Sequence, residues 1–437
     1  MTNVFTSRPF RRLWLGQAVS LVGDMLFTTT LTLWLATGLL AGEAYAPAAA
    51  SAALAITAGV TIVLAPFAGV FVDRWDKVRV ALATDAVRAI VSLGFVAIPL
   101  LPAGVPRSVT LAACAVGVIV QAAASQFFNP ARLVLMSDVV AGSQRAQAAS
   151  FAQASSAIAT VAGPLIGGIL YVAVGPTLGF ALNGLSFLWS YVMIKLAGPV
   201  DLSQGSSPAK RQSFGRELIA PLRTIAADPV LRTILGTGII VMLGAGTLGS
   251  LNVFFVQENL GEDPWWFGVL SGALGAGILV GALGVGFLGP RIGERRLFVA
   301  ATIVCGIACL AYSRSSDAVF AAAALFIYGI AGGVVETAMS PLVLTAVDRT
   351  QLARVVSVFA PAFRLSSIIS VTVAGTIVSL LPPRHRFSFG GITFGRIDVI
   401  YLGTAIIFLA AGIYALFSLR STAPNMIFDE ERDGTRA

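Results

Sequence analysis

The sequence predicts an all-α integral membrane protein whose twelve transmembrane helices form two pseudo-symmetric six-helix bundles. Three observations predict it. The 437-residue chain is 57% hydrophobic and only 11% charged, with a mean hydropathy of +0.86. Its apolar runs recur from end to end, each long enough to cross about 30 Å of hydrocarbon. A polar break near the middle leaves six runs on either side. A soluble chain of this composition has too little polar surface to cover its apolar bulk.

Cutting at charged or Pro/Gly-rich breaks places the spans near 13–41, 47–72, 80–103, 109–135, 146–172, 177–197, 231–256, 266–289, 297–313, 318–345, 353–381 and 399–419. Each is expected to be helical, because lipid offers the backbone no hydrogen-bond partner. The longest runs imply tilt or ends that project into water. The first run follows Arg8, Arg11 and Arg12. It is too long for the core of a secretory signal and reads as a retained span. With both termini cytoplasmic, inside segments together with the cytoplasmic ends of the spans hold 22 of the 29 basic residues, and outside loops hold Arg107, Arg314, Arg384, Arg386 and Arg396. That asymmetry predicts a multi-pass protein of a bacterial-style cytoplasmic (inner) membrane.

The formal net charge of +8 does not imply nucleic acid, since the basic residues sit in short clusters between apolar runs. Cys114, Cys305 and Cys309 lie inside apolar runs and read as small buried hydrophobes. The single histidine, His385, sits in a polar loop, Pro382 to Asp398. No GxxxxGK[ST] loop occurs. No metal, organic cofactor or catalytic set is therefore expected, and the chain does not read as an enzyme.

The expected domains are an N-terminal bundle (1–197), a cytoplasmic linker (198–229), a C-terminal bundle (230–420) and a cytoplasmic tail (421–437). The linker holds the flexible basic stretch SQGSSPAKRQS, then FGRELIAPLRTIAAD, which suits a short amphipathic helix on the membrane surface. The halves look related: FRRLWLG resembles VLRTILG, GVFVDRWDKVR resembles GFLGPRIGERR, and NPARLVLMSDVV resembles ETAMSPLVLTAVD, in the same order. Parallel six-helix repeats are a transporter architecture, with substrate held near the midplane.

GVFVDRWDKVR (69–79) resembles the loop signature of the major facilitator superfamily between spans 2 and 3, and the degenerate copy between spans 8 and 9 is similar to the family's second one. The resemblance covers the whole chain and implies the major facilitator fold. It implies a conformational latch of Gly69, Asp73, Arg74, Lys77 and Arg79. Gly69 would let two helices approach closely, and Asp73 would accept hydrogen bonds from the N-terminus of span 11 when the cavity opens outward. The basic residues would pair with acids or lipid headgroups. The second copy carries Pro290 in place of the Asp, so one strong latch is expected. AGPLIGG in span 5, with Gly163, Pro164, Gly167 and Gly168, is similar to the helix motif of the family's exporters, although Ala159 stands where the fuller pattern has Gly. Its small residues also suit ordinary close packing. Gly277, Gly281 and Gly284 in span 8 read as packing.

Ionisable residues inside spans cost roughly 2.5–3.5 kcal/mol each at the helix centre and call for a reason. Asp24 lies in span 1, Glu336 in span 10 and Arg364 in span 11. Asp24 and Glu336, from different halves, are the proton-coupling candidates, with Arg364 as partner of either; a buried ion pair that fixes packing is the plainer reading. Asp85 and Arg88, three apart, read as a local structural pair. Proton-coupled relatives often carry an Arg in span 4, whereas Ser108 to Ala131 holds no Arg or Lys and Gln121 is its main polar residue.

FRRLWLGQAVSLVGDMLF and FFNPARLVLMSDVV resemble the macrolide-efflux and siderophore-exporter branch of the superfamily. That implies export of a small, partly apolar compound; together with the candidate acids, the expected function is proton-coupled antiport, with efflux of a small amphipathic compound, drug-like (multidrug) or siderophore-like, by alternating access and the proton gradient as energy source. Phe27, Gln121, Phe127, Phe128, Asn252 and Phe255 are the candidates for the substrate cavity, offering apolar walls with few polar anchors. Expected partners are the substrate, protons and the bilayer, with the protein a monomer. Uptake or facilitated diffusion of a metabolite such as a sugar, and a transport-inactive membrane receptor, are the alternatives.

Overall fold

The computed structural model describes residues 4–421 apart from 103, 199–224, 227, 348, 383–385 and 390–391. The expected linker helix, the tail and His385 lie outside the described residues. Twelve long helices follow one another: α1 (Arg8–Leu33), α2 (Ala46–Arg74), α3 (Lys77–Ala97), α4 (Arg107–Asp138), α5 (Arg145–Val174), α6 (Pro176–Ala197), α7 (Pro229–Phe255), α8 (Trp265–Ile292), α9 (Glu294–Ser313), α10 (Ala318–Ala346), α11 (Arg349–Leu380) and α12 (Arg396–Ser421). Among the described residues, twelve helices are long and apolar enough to cross a membrane. α1 and α7 each run on into a π-helical turn, Trp34–Leu39 and Val256–Leu260.

The sparse polar residues fix where helices begin. Ser7 Oγ accepts from the Phe10 amide at 3.3 Å, with Pro9 in the first turn of α1. Asp228 accepts from the Val230 and Leu231 amides at 2.7 and 3.1 Å, and Asp317 from Phe320 at 2.8 Å. Each satisfies donors that a helix leaves unpaired at its start. Asp76 does the same for α3, accepting from Val78 and Arg79 at 2.9 and 3.0 Å. One acid of the charged loop is thus a helix cap. Asp76→Ala is expected to cost about 0.5–2 kcal/mol locally, seen as faster hydrogen exchange at the Val78 and Arg79 amides.

The polar loop before α12 departs from expectation. It contains a two-stranded hairpin, β1 (Arg386–Phe389) and β2 (Ile392–Gly395). RFSF and ITFG alternate on either side of Gly390-Gly391, a pattern suited to a hairpin. Asp398 at the start of α12 ties the hairpin down, accepting from the Gly395 amide at 2.8 Å and lying 3.8 Å from Arg314.

Packing divides the chain into two compact units: Met1–Pro208 with Ser250–Gly275 and Val371–Arg386, and Ala209–Gly249 with Ala276–Ser370 and Phe387–Ala437. The division differs from a cut in the central linker, because the end of α7, the start of α8 and the end of α11 pack with the first unit. In that unit α1 lies against α5 and α6, α3 against α4 and α6, and α2 against α4. Glycines allow the closest approaches. A Cβ on Gly268 of α8 would stand 2.5 Å from the Pro164 carbonyl oxygen of α5, and one on Gly168 3.0 Å from the Trp265 carbonyl oxygen. The Ala48 amide donates to Ser379 Oγ at 2.9 Å, joining α2 to the end of α11. In the second unit α9 packs on α10 and α12, and Thr247 of α7 bonds Ser370 of α11 at 2.7 Å.

Candidate functional site

The second unit holds a cavity of about 720 Å³. Its wall is mostly apolar, with Met242 from α7, Met339 from α10, and Phe359 and Phe363 from α11. Two charged side chains line it: Glu336 on α10 and Arg364 on α11. Ser340 stands four residues after Glu336 and Ser367 three after Arg364, so each hydroxyl shares a helix face with a charge. Glu336 and Arg364 are both exposed, and neither makes an ion pair or hydrogen bond among the described residues.

The first unit carries a different arrangement. Arg88 of α3 is buried, as is Asp85, to which it is directly hydrogen-bonded. It also faces Asp24 of α1 at 4.0 Å. Its guanidinium lies over two rings, 4.0 Å from the centroid of Phe128 and 4.3 Å from that of Phe187. Arg132 of α4 lines a small pocket together with Phe128, the ring over which Arg88 lies. Two acids and two arginines thus balance their charge inside one bundle, where each charge alone would be costly. Gln121 and Asn183 both donate to Ser92 Oγ at 3.1 Å, tying α4 and α6 to α3 beside the cluster.

The structure therefore brings Glu336 and Arg364 to one cavity and gives Asp24 a partner, Arg88, that the sequence had assigned only to Asp85. Arg132 was missed. The expected span 109–135 already contained it near its end without singling it out, and α4 continues to Asp138, which keeps it within the helix. The run RLVLMSD carries no breaker, which is the signal that it continues the helix.

None of the six expected cavity residues lines the 720 Å³ cavity. Phe27 is packed edge-on to Phe95 with centroids 5.0 Å apart, and lies 5.3 Å from Phe180. Phe128 lies under Arg88, and Gln121 is engaged with Ser92. Phe127 stacks on Trp75 at 6.2 Å. Asn252 and Phe255 are buried. All six belong to the first unit, whereas the cavity lies in the second.

In the charged loop, α2 ends at Arg74 and α3 starts at Lys77. Arg79 lies 3.8 Å from Asp76, and Arg74 is exposed. A Cβ on Gly69 would meet nothing among the described residues within 4 Å. Asp73's side chain lies outside the described residues. In AGPLIGG, Gly163 and Gly167 face α1: a Cβ on Gly167 would stand 3.1 Å from Thr29 Cβ, and one on Gly163 3.2 Å from the Leu26 amide nitrogen. Gly168 and Pro164 face α8. The motif is a two-sided packing seam. Of the span 8 glycines, Gly277 and Gly281 pack on the α10 backbone, while Gly284 has open space around it.

Twelve apolar helices, a polar-anchored cavity and membrane-embedded charges define a polytopic transporter fold. The family model described as Major Facilitator Superfamily matches residues 13–371 and, in a second match, 234–436. The chain belongs to that superfamily. A protein named as a bacilysin exporter, BacE of Bacillus amyloliquefaciens, is 30% identical over 187 residues, 41% of this chain. The match spans 42% of that relative's length. YfiS of Bacillus subtilis (strain 168), named as an MFS-type transporter, is 25% identical over 78% of this chain and 81% of its own. Among solved structures, the nucleoside transporter NupG (D323A mutant) superposes with a TM-score of 0.72 at 14% identity, covering 93% of this chain and 99% of that one. A bacterial homologue of the iron transporter ferroportin in an inward-facing state gives 0.68 at 16% identity, covering 95% and 98%. These structures share the fold.

Proposed function

We propose that this transporter is a proton-coupled exporter of small amphipathic compounds that works by alternating access. In this reading it sits in the inner membrane with both termini in the cytoplasm, as a monomer, and draws its energy from the proton gradient alone. The observation that supports it most is the 720 Å³ cavity with Glu336 open on its wall. Glu336 is exposed on the cavity wall and has no ion pair among the described residues. It is free to bind either a proton or a cationic group of a substrate, and exchange of one for the other links the two movements. Asp24 is the second candidate acid, because a proton there would upset the charge balance with Arg88 and bias the packing of α1 on its neighbours. Efflux rather than uptake is favoured by the likeness to a protein named as an exporter and by AGPLIGG.

The test is efflux of ethidium and of a macrolide from cells that express the protein, with and without a protonophore. Wild-type efflux is expected to stop with the protonophore and to fall at least about tenfold in Glu336→Gln, with Asp24→Asn also impaired. Efflux that persists under the protonophore and in both variants would contradict proton coupling.

A further inference from the structure

The charges on the cavity wall specify more than an amphipathic substrate. Glu336 and Arg364 have opposite sign, come from different helices, α10 and α11, and are unpaired among the described residues. A cationic ligand would satisfy Glu336 and leave Arg364 uncompensated. An anionic ligand would do the reverse, and a neutral one would leave both. Leaving a desolvated charge without a partner is what binding sites avoid. The serines beside each charge concentrate polarity at two places, Glu336 with Ser340 and Arg364 with Ser367, and the rest of the wall is apolar.

We infer that this cavity takes a zwitterionic amphiphile, with its ammonium group on Glu336, its carboxylate on Arg364 and its apolar body against Met242, Met339, Phe359 and Phe363. The inference rests on the transport reading above and narrows its substrate class. Arginine suits the carboxylate end because its planar fork gives two parallel hydrogen bonds to two oxygens. The methionines supply an adaptable wall and the phenylalanines a stiff one. A cavity of about 720 Å³ falls in the range that encloses a ligand of drug-like size.

The test uses the purified full-length protein in lipid nanodiscs and three probes: the dipeptide Leu-Phe with both ends free, N-acetyl-Leu-Phe and Leu-Phe amide. Binding is read by isothermal titration. Leu-Phe is expected to bind about tenfold or more tightly than either capped form, the usual effect of one lost charged hydrogen bond. Glu336→Gln should remove the preference over N-acetyl-Leu-Phe only, and Arg364→Gln the preference over Leu-Phe amide only. The comparison of probes on the wild type needs no variant to fold. Equal binding of all three probes, or binding of none, overturns the zwitterion assignment. Efflux of ethidium and of Leu-Phe is measured in parallel on cells. Intact, protonophore-sensitive efflux without probe discrimination sinks this assignment alone, whereas absence of any efflux sinks the transport reading on which it rests.

Discussion

Replacing Arg88 with glutamine is expected to destabilise the protein by about 3–5 kcal/mol, the cost of stripping the partner from a buried charge. Asp85 has no exposed side-chain area, and Arg88 is its direct partner. Glutamine carries no charge to balance Asp85 and Asp24, and it cannot lie as a flat cation between the Phe128 and Phe187 rings. The double replacement Arg88→Leu with Asp85→Leu is expected to recover most of the loss, because exchanging a buried pair for apolar side chains of similar size is often close to neutral. Asp24, part-exposed and near Arg132, tolerates the loss of Arg88 better than Asp85 does. Thermal unfolding in nanodiscs checks both. A single variant that melts with the wild type would show that the cluster is not a unit.

The second large effect is expected on the seam between α8 and α10. A Cβ added at Gly281 would meet the Ile330 backbone, with its carbonyl carbon at 2.8 Å and its oxygen nearer still. One added at Gly333 would meet the Ile278 carbonyl carbon at 2.9 Å, and one at Gly277 the Ile330 amide nitrogen at 2.9 Å. Backbone cannot rotate aside as a side chain does, so the helices must separate. Overpacking of this kind costs about 1–3 kcal/mol per site, and Gly281→Ala with Gly333→Ala is expected to add strain from both sides of one contact. Glu336 follows Gly333 by three residues, so separation also shifts the carboxylate on the cavity wall. Gly284, Gly286 and Gly332 have open space around the Cβ position, and alanine there is expected to leave the melting temperature unchanged. If the control glycines proved as sensitive as the seam glycines, close backbone packing would not be the cause.

What was legible in the sequence follows from the membrane as solvent. Length and hydropathy alone define the spans, because the bilayer demands a continuous apolar helix wherever the chain crosses it. The Asp85–Arg88 pair was readable from its spacing of three on one helix, and Asp76 as a helix cap was readable from its place before α3. The cavity wall was not. A helix such as α10 is apolar on every face, so no stripe marks which side meets a cavity, a neighbour or lipid. Glu336 and Arg364 could be picked out because they are charged, but Met339 and Phe363 could not be told from Phe27 and Phe255. The contact of Asp24 with Arg88 is likewise set by the packing of α1, α3 and α6, 64 residues apart in sequence for that pair, and no local spacing encodes it.

The most direct measurement is proton movement in everted membrane vesicles that contain the protein, with the lumen acidified and followed by acridine orange. Addition of ethidium or Leu-Phe is expected to release luminal protons as substrate enters, and Glu336→Gln is expected to abolish that release. Substrate entry without proton release, or release unchanged in Glu336→Gln, would contradict proton-coupled export through the cavity of α7, α10 and α11.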